Sequence, residues 1–182
     1  MGILNLTPDS FHDGGTLNSA EDALTRAQKM LEDGADIIDI GGQSTRPKST
    51  IVTANDEWLR VEAALKLIRK KLPEAIISID TFYAEVAERA IYEGAQIIND
   101  ISAGSLDDQM FSTVAKLQVP YILMHMQGTP QTMQNKPEYT FVVAEVLRDL
   151  SRKITELRML GVNDIIIDPG FGFGKTTKHN YD

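Results

Sequence analysis

Asp80, Asn99 and Asp168 are the residues of this chain best placed to do chemistry together, because each closes a short apolar run. Two carboxylates and one amide offer several hydrogen-bond acceptors and a pair of donors. That set suits a flat heterocycle with an amino-pyrimidinone edge, whose N–H groups need acceptors and whose carbonyl needs a donor. Each residue alone could instead cap a helix, and Asp80-Thr81 has the right character for it. The richest segment is 164–175, DIIIDPGFGFGK, in which three isoleucines stop at Asp168 and a glycine-phenylalanine loop and Lys175 follow. It is not a nucleotide P-loop: G-x-x-x-x-G-K-[ST] counted back from Gly174-Lys175-Thr176 requires glycine where Pro169 stands. G-x-G-x-x-G fails in the same way at Thr177. Glycines beside Phe171 and Phe173 suit a loop that lets a flat ring approach the backbone.

Two further loops carry polar groups. Residues 5–15, NLTPDSFHDGG, hold Asn5, Asp9, Ser10 and Phe11 in a turn-rich setting of Pro8, Gly14 and Gly15. A surface turn is the plain alternative. In residues 41–47, GGQSTRP, Ser44 and Thr45 can donate to phosphate oxygens and Arg46 can bind them in a fork, with Pro47 limiting the loop's freedom. A polar loop with a solvated arginine is the alternative there. His125, between Met124 and Met126, is a lone histidine of the kind more often structural than catalytic.

Strands must position these residues. Six apolar runs close on polar side chains: 1–6, 36–42, 75–80, 96–100, 121–126 and 164–168. Short β-branched runs bounded by turn residues favour strands over helices. Helical spacing predicts helices over 19–33, 53–72, 83–93, 106–117 and 137–160. Ser19 with Asp22, and Thr53 with Asp56, have the spacing of N-terminal caps. The last helix is expected to turn Val143, Leu147, Leu150, Ile154 and Leu157 inward. Glycines Gly34, Gly94 and Gly161 follow three helices, as left-handed caps require. The junctions DGADIIDI and EGAQIINDI resemble each other as a weak internal repeat of a βα unit.

Strict alternation implies an α/β fold with a parallel sheet. An open doubly wound sheet binds ligands mainly at its switch point, whereas a polar residue at every strand end fits a (β/α)8 TIM barrel, whose strand ends converge on one pocket. The chain supplies about six strands and five helices of such a barrel. A typical barrel needs about 250 residues, so we expect residues 1–182 to form one incomplete barrel domain, short by two βα units at the C-terminus and slightly at the N-terminus.

Composition narrows the partners. A net charge of −8 argues against nucleic acid and anionic membranes. The chain has no cysteine, hence no disulfide framework and no thiolate zinc site, which suits a reducing compartment. The N-terminal stretch lacks a basic region and breaks at Asn5 and Pro8, so no signal peptide is expected. No apolar run approaches the ~18 residues of a membrane span. A cytoplasmic protein is the expectation.

Taken together, ILNLTPDSFHDGG, IIDIGGQSTRP, ISIDT, IIND, LMHMQGTP and DPGFGFGK resemble, in this order, the dihydropteroate synthases of the pterin-binding (β/α)8 family. The resemblance covers nearly the whole chain. It implies condensation of 6-hydroxymethyl-7,8-dihydropterin diphosphate with p-aminobenzoate, giving 7,8-dihydropteroate and diphosphate in folate biosynthesis. It implies that Asp80, Asn99 and Asp168 hold the pterin, with Met124 beneath it, and that Phe173 packs on the aminobenzoate. Asn5 would coordinate Mg²⁺ with the diphosphate, and Thr45 would touch that substrate. Arg46 and Pro47 would belong to the second loop, and Asp9, Ser10 and Phe11 to a first loop that closes over the site. Asp80, Asp9 and Arg46 are the catalytic candidates. The resemblance leaves room for a homodimer. The family's late lysine on strand 7 and its final Arg-x-His on strand 8 have no counterpart here, which removes part of the anion site. A related pterin-binding methyltransferase domain and a non-catalytic pterin-binding fragment are the other readings.

Overall fold

The isoleucine-rich runs do form strands, and the amphipathic segments between them form the helices that cover one face. The computed structural model describes residues 1–7, 16–44, 51–133 and 137–182, with only the backbone for 16–19. Among these run β1 (Gly2–Asn5), α1 (Thr16–Glu32), β2 (Ile37–Gly41), α2 (Ala54–Lys71), β3 (Ile76–Asp80) and α3 (Ala84–Tyr92). They continue with β4 (Ile97–Asp100), α4 (Met110–Leu117), β5 (Tyr121–Met124), α5 (Val142–Met159), β6 (Ile165–Asp168) and α6 (Thr177–Tyr181). α6 lies where His179-Asn180-Tyr181 reads as the start of a further helix.

All neighbouring strands are parallel, and the sheet order is the chain order, β1-β2-β3-β4-β5-β6. A sheet laid down in chain order has no switch point. Crossovers of one hand then place every helix on the same side, which is barrel topology and not a doubly wound sheet. On the helix side, Leu4, Ile38, Ile40, Ile77, Ile79, Ile98 and Leu123 pack against α1–α5 in one continuous core. The three junction glycines Gly34, Gly94 and Gly161 sit at φ +99°, +102° and +86°, where a side chain would strain the backbone. Among the described residues, no helix is long and apolar enough to cross a membrane.

Helix starts depart from the sequence expectation. α1 begins at Thr16, so Ser19 stands inside it rather than at its cap. α4 begins at Met110 instead of 106, because Asp107 is engaged elsewhere: one carboxyl oxygen accepts from the Gln109 N–H, and the other accepts from the Ala84 N–H at the start of α3. α5 begins at Val142 instead of 137. The Glu145 carboxylate accepts the Thr140 and Phe141 N–H groups at 2.8 Å each, stopping the helix there. The inward stripe of α5 is also different in its first turns. Val143 and Leu147 are 51% and 59% exposed, while Val142, Val146, Leu150 and Leu157 are buried. Two apolar stripes lie side by side on this helix, and spacing alone does not choose between them. The Thr53 cap is as expected, its hydroxyl accepting from the Asp56 N–H at 3.2 Å.

Candidate active site

Parallel pairing fixes which side chains share a face. Asn5, Gly41, Asp80 and Asn99 are lateral partners in one row across β1–β4, and Met124 and Asp168 are partners across β5 and β6. Asn99 pairs with Ile122, two residues before Met124, so Asp80, Asn99, Met124 and Asp168 stand on the same face. It is the face away from the helices, the inner one of a barrel, at the C-terminal ends of the strands. The sequence-derived set is thus brought together. Asn5 lies at the exposed end of its row. Asp9, Ser10, Phe11, Thr45, Arg46 and Pro47 lie outside the described residues.

Asp80 is partly exposed at the mouth, and its carboxylate accepts no hydrogen bond from any described residue. It is not a helix cap. α3 is capped by Asp107 instead, and Thr81 accepts from the Tyr83 N–H in a local turn. Burial, and then the carboxyls around it, Asp39 foremost, hold the Asp80 carboxyl well above the usual carboxylate range. A carboxyl in that setting is ready for a partner that brings N–H donors or positive charge.

Asn99 is oriented from below. Its amide nitrogen donates to the Asp39 carboxylate at 2.9 Å, so the amide carbonyl is left for the mouth. Asp39 is buried one row deeper, beside Ser78, and burial raises its carboxyl. The sequence reading missed Asp39. The available signal was parity: Asp39 is two residues before Gly41, hence on the same face as the Asp80 row. Asp100, by contrast, points to the helix side. It is fully buried and accepts from the Ser102 N–H, the Ser102 hydroxyl, the Gly104 N–H and the Tyr121 hydroxyl at 2.7–2.8 Å.

The loop after β6 is built around Lys175. Its ammonium is buried and donates to the carbonyls of Gly170, Phe173 and His125 at 3.0, 3.1 and 3.3 Å, with His125 Nδ1 at 3.0 Å. Burial lowers Lys175 to about 8. Burial and then the Lys175 charge lower His125 to about 4. His125 is thus tied to the loop through its ring nitrogen and its carbonyl. Asp168 accepts the Gly170 N–H at 2.7 Å, tying the strand end to the loop. Gly170 admits no side chain: a Cβ would stand 2.0 Å from the His125 carbonyl oxygen. The curl carries Phe173 against a small apolar cluster of Phe82, Ile101 and Met124 at the mouth. An apolar floor with acceptors on two sides can sandwich and read a flat, N–H-rich ring.

A metal would find no ready cage here, since no group of three or more His, Cys, Asp or Glu converges among the described residues. Asn5 offers a single hard amide oxygen. That fits Mg²⁺, which keeps several waters and takes the rest of its shell from phosphate oxygens.

The family model described as "Pterin binding enzyme" matches residues 1–182. A folate synthesis bifunctional protein of Arabidopsis thaliana is 47% identical over 188 residues, covering 100% of this chain and 39% of that protein. The dihydropteroate synthase of Escherichia coli K12 is 45% identical over 183 residues, covering 100% of this chain and 64% of that enzyme. A solved Xanthomonas albilineans dihydropteroate synthase with 4-aminobenzoic acid has a TM-score of 0.89 at 42% identity, over 99% of this chain and 64% of that one. The chain spans less than two thirds of the length of each of these relatives. With a match that runs from the first residue to the last, the chain belongs to the pterin binding enzyme family.

Proposed function

We propose that the chain supplies the pterin side of a dihydropteroate synthase, joining 6-hydroxymethyl-7,8-dihydropterin diphosphate to p-aminobenzoate. The observation that carries this reading is the convergence of Asp80, Asn99 and Asp168 on one face beside Met124 and Phe173. The kinship with synthases that bear that name supports it.

In this reading the C–O bond between the pterin methylene and the diphosphate breaks first, and the diphosphate leaves with the electron pair. Positive charge spreads from the methylene into the pterin ring. Asp80, buried beside Asp39 and Asp100, interacts better with that charge than with the neutral ground state, which is the differential binding that accelerates a step. Asn99, held by Asp39, and Asp168, held by Gly170, keep the ring in one orientation. Phe173 and Met124 exclude water, which would otherwise trap the cation. The arylamine nitrogen then bonds to the methylene carbon and loses a proton to solvent. When bound, Mg²⁺ would supply charge to the leaving diphosphate, and Asn5 is the residue here that would hold it. The cysteine-free composition suits the cytoplasm as the place of work.

The test is diphosphate release from the pterin substrate with Mg²⁺, with and without p-aminobenzoate. Release that requires p-aminobenzoate supports the reading. Pterin-dependent chemistry indifferent to p-aminobenzoate contradicts it.

A further inference from the structure

Glu57 is a fully buried carboxyl that the mechanism does not use. It lies in the first turn of α2, where carboxylates ordinarily face solvent and the helix N-terminus. The end of β2 rests on it. A Cβ at Gly42 would fall 2.9 Å from the Glu57 Cγ and 3.0 Å from its carbonyl oxygen, so only glycine allows the contact. Its polar neighbours are the Thr81 hydroxyl beyond β3 and the Gln43 side chain beyond β2. Yet neither carboxyl oxygen completes a hydrogen bond among the described residues.

The Thr81 and Gln43 side chains could both donate, but neither reaches hydrogen-bonding geometry, and an ionised carboxylate left in that state is strongly disfavoured. A neutral carboxyl brings its own donor, and acceptors lie beside it. The Thr81 hydroxyl oxygen already accepts the Tyr83 N–H at 3.1 Å. Gln43 clasps Val52, its amide donating to the Val52 carbonyl at 3.0 Å and its oxygen accepting the Val52 N–H at 3.3 Å. The charged and titratable groups facing Glu57 are Asp80 on β3, Tyr83 beyond it and Arg60 on its own helix. The Arg60 guanidinium donates to the Gly42 carbonyl at 2.9 Å rather than to Glu57. Asp39 and Asp100 add negative charge around Asp80. Burial accordingly pushes Glu57 up to about 7.

We propose that Glu57 works as an uncharged carboxylic acid, a positioning residue that packs beneath Gly42 between the ends of β2 and β3 and keeps a further negative charge away from Asp80. The link to pterin binding rests on the function proposed above; the protonation state does not.

The experiment compares the 182-residue chain with its Glu57→Gln form, a neutral near-isostere. A carboxyl that titrates near 7 when folded and near 4.5 when unfolded stabilises below 4.5, and this is lost as pH rises through 7. From pH 5 to pH 8 the wild-type Tm therefore falls relative to Glu57→Gln, by at least about 5 °C. With 6-hydroxymethylpterin as probe, Glu57→Gln binds within about twofold of wild type at pH 6 and severalfold more tightly at pH 8.5. A pH-independent Tm difference, or weaker pterin binding by Glu57→Gln at every pH, overturns the proposal. If neither form binds pterin, the site reading fails while the Tm comparison still decides the protonation of Glu57. If Glu57→Gln does not fold, the carboxyl carbon shift of Glu57 in the wild type decides: a midpoint near 7 supports the proposal, and one below about 5 overturns it.

Discussion

Asp39 illustrates how one buried charge sets the direction of a neighbour. Its carboxylate receives the Asn99 amide, and its other oxygen has no partner among the described residues. Asp39→Asn removes the charge that fixes the amide's orientation, and it should weaken binding of 6-hydroxymethylpterin about fivefold to tenfold. Stability should move the other way. The Asp39 carboxyl is raised by burial, so its stabilising share is lost as pH rises, and the Asn variant should melt higher than wild type at pH 8. Calorimetry of binding and melting on the same samples separates the two effects. His125 has the opposite sign. It is held at about 4 when folded against 6.5 when free, so its contribution is present above 6.5 and lost as pH falls to 4. A His125→Asn melting curve should converge on wild type across that window as the acid side is approached. Lys175→Met should cost roughly 2–4 kcal/mol in urea titration, since it strands three carbonyls at once.

At the scale of elements, caps and packing faces decide more than propensity. Thr53→Ala removes the hydroxyl that accepts the Asp56 N–H and should cost about 1 kcal/mol. On α5, Leu150→Ala should cost roughly 2–4 kcal/mol, whereas Leu147→Glu should change stability by less than about 0.5 kcal/mol. Equal costs at the two positions would mean the buried stripe has been drawn on the wrong face. The same elements show what was legible in the sequence. Strand ends were readable because the isoleucine runs of β3, β4 and β6 stop on Asp80, Asn99-Asp100 and Asp168, and Gly34, Gly94 and Gly161 mark three of the preceding helix ends. Helix starts were not, because the groups that set them come from elsewhere: Asp107 caps α3 from beyond β4, and Glu145 reaches back to Phe141. Asp39, Glu57 and Lys175 were not assigned roles for a related reason. Their importance lies in burial against other segments, which no local pattern records.

At the scale of the molecule, the parallel sheet carries Asp80, Asn99, Met124 and Asp168 on β3 to β6, and β1 and β6 do not pair with each other among the described residues. Ile3 on β1 and Ile166 and Ile167 on β6 are exposed along those outer strands. Unpaired strands with apolar side chains invite edge-to-edge association. In the function proposed above, the inner face at the strand ends is a pterin site. The direct measurement is titration of the chain with 6-hydroxymethylpterin, alongside Asp80→Asn and Asp168→Asn. Saturable binding that weakens tenfold or more in both variants, with no loss of melting temperature, is the predicted result. Binding of equal strength in all three proteins, or none in the wild type, would contradict it.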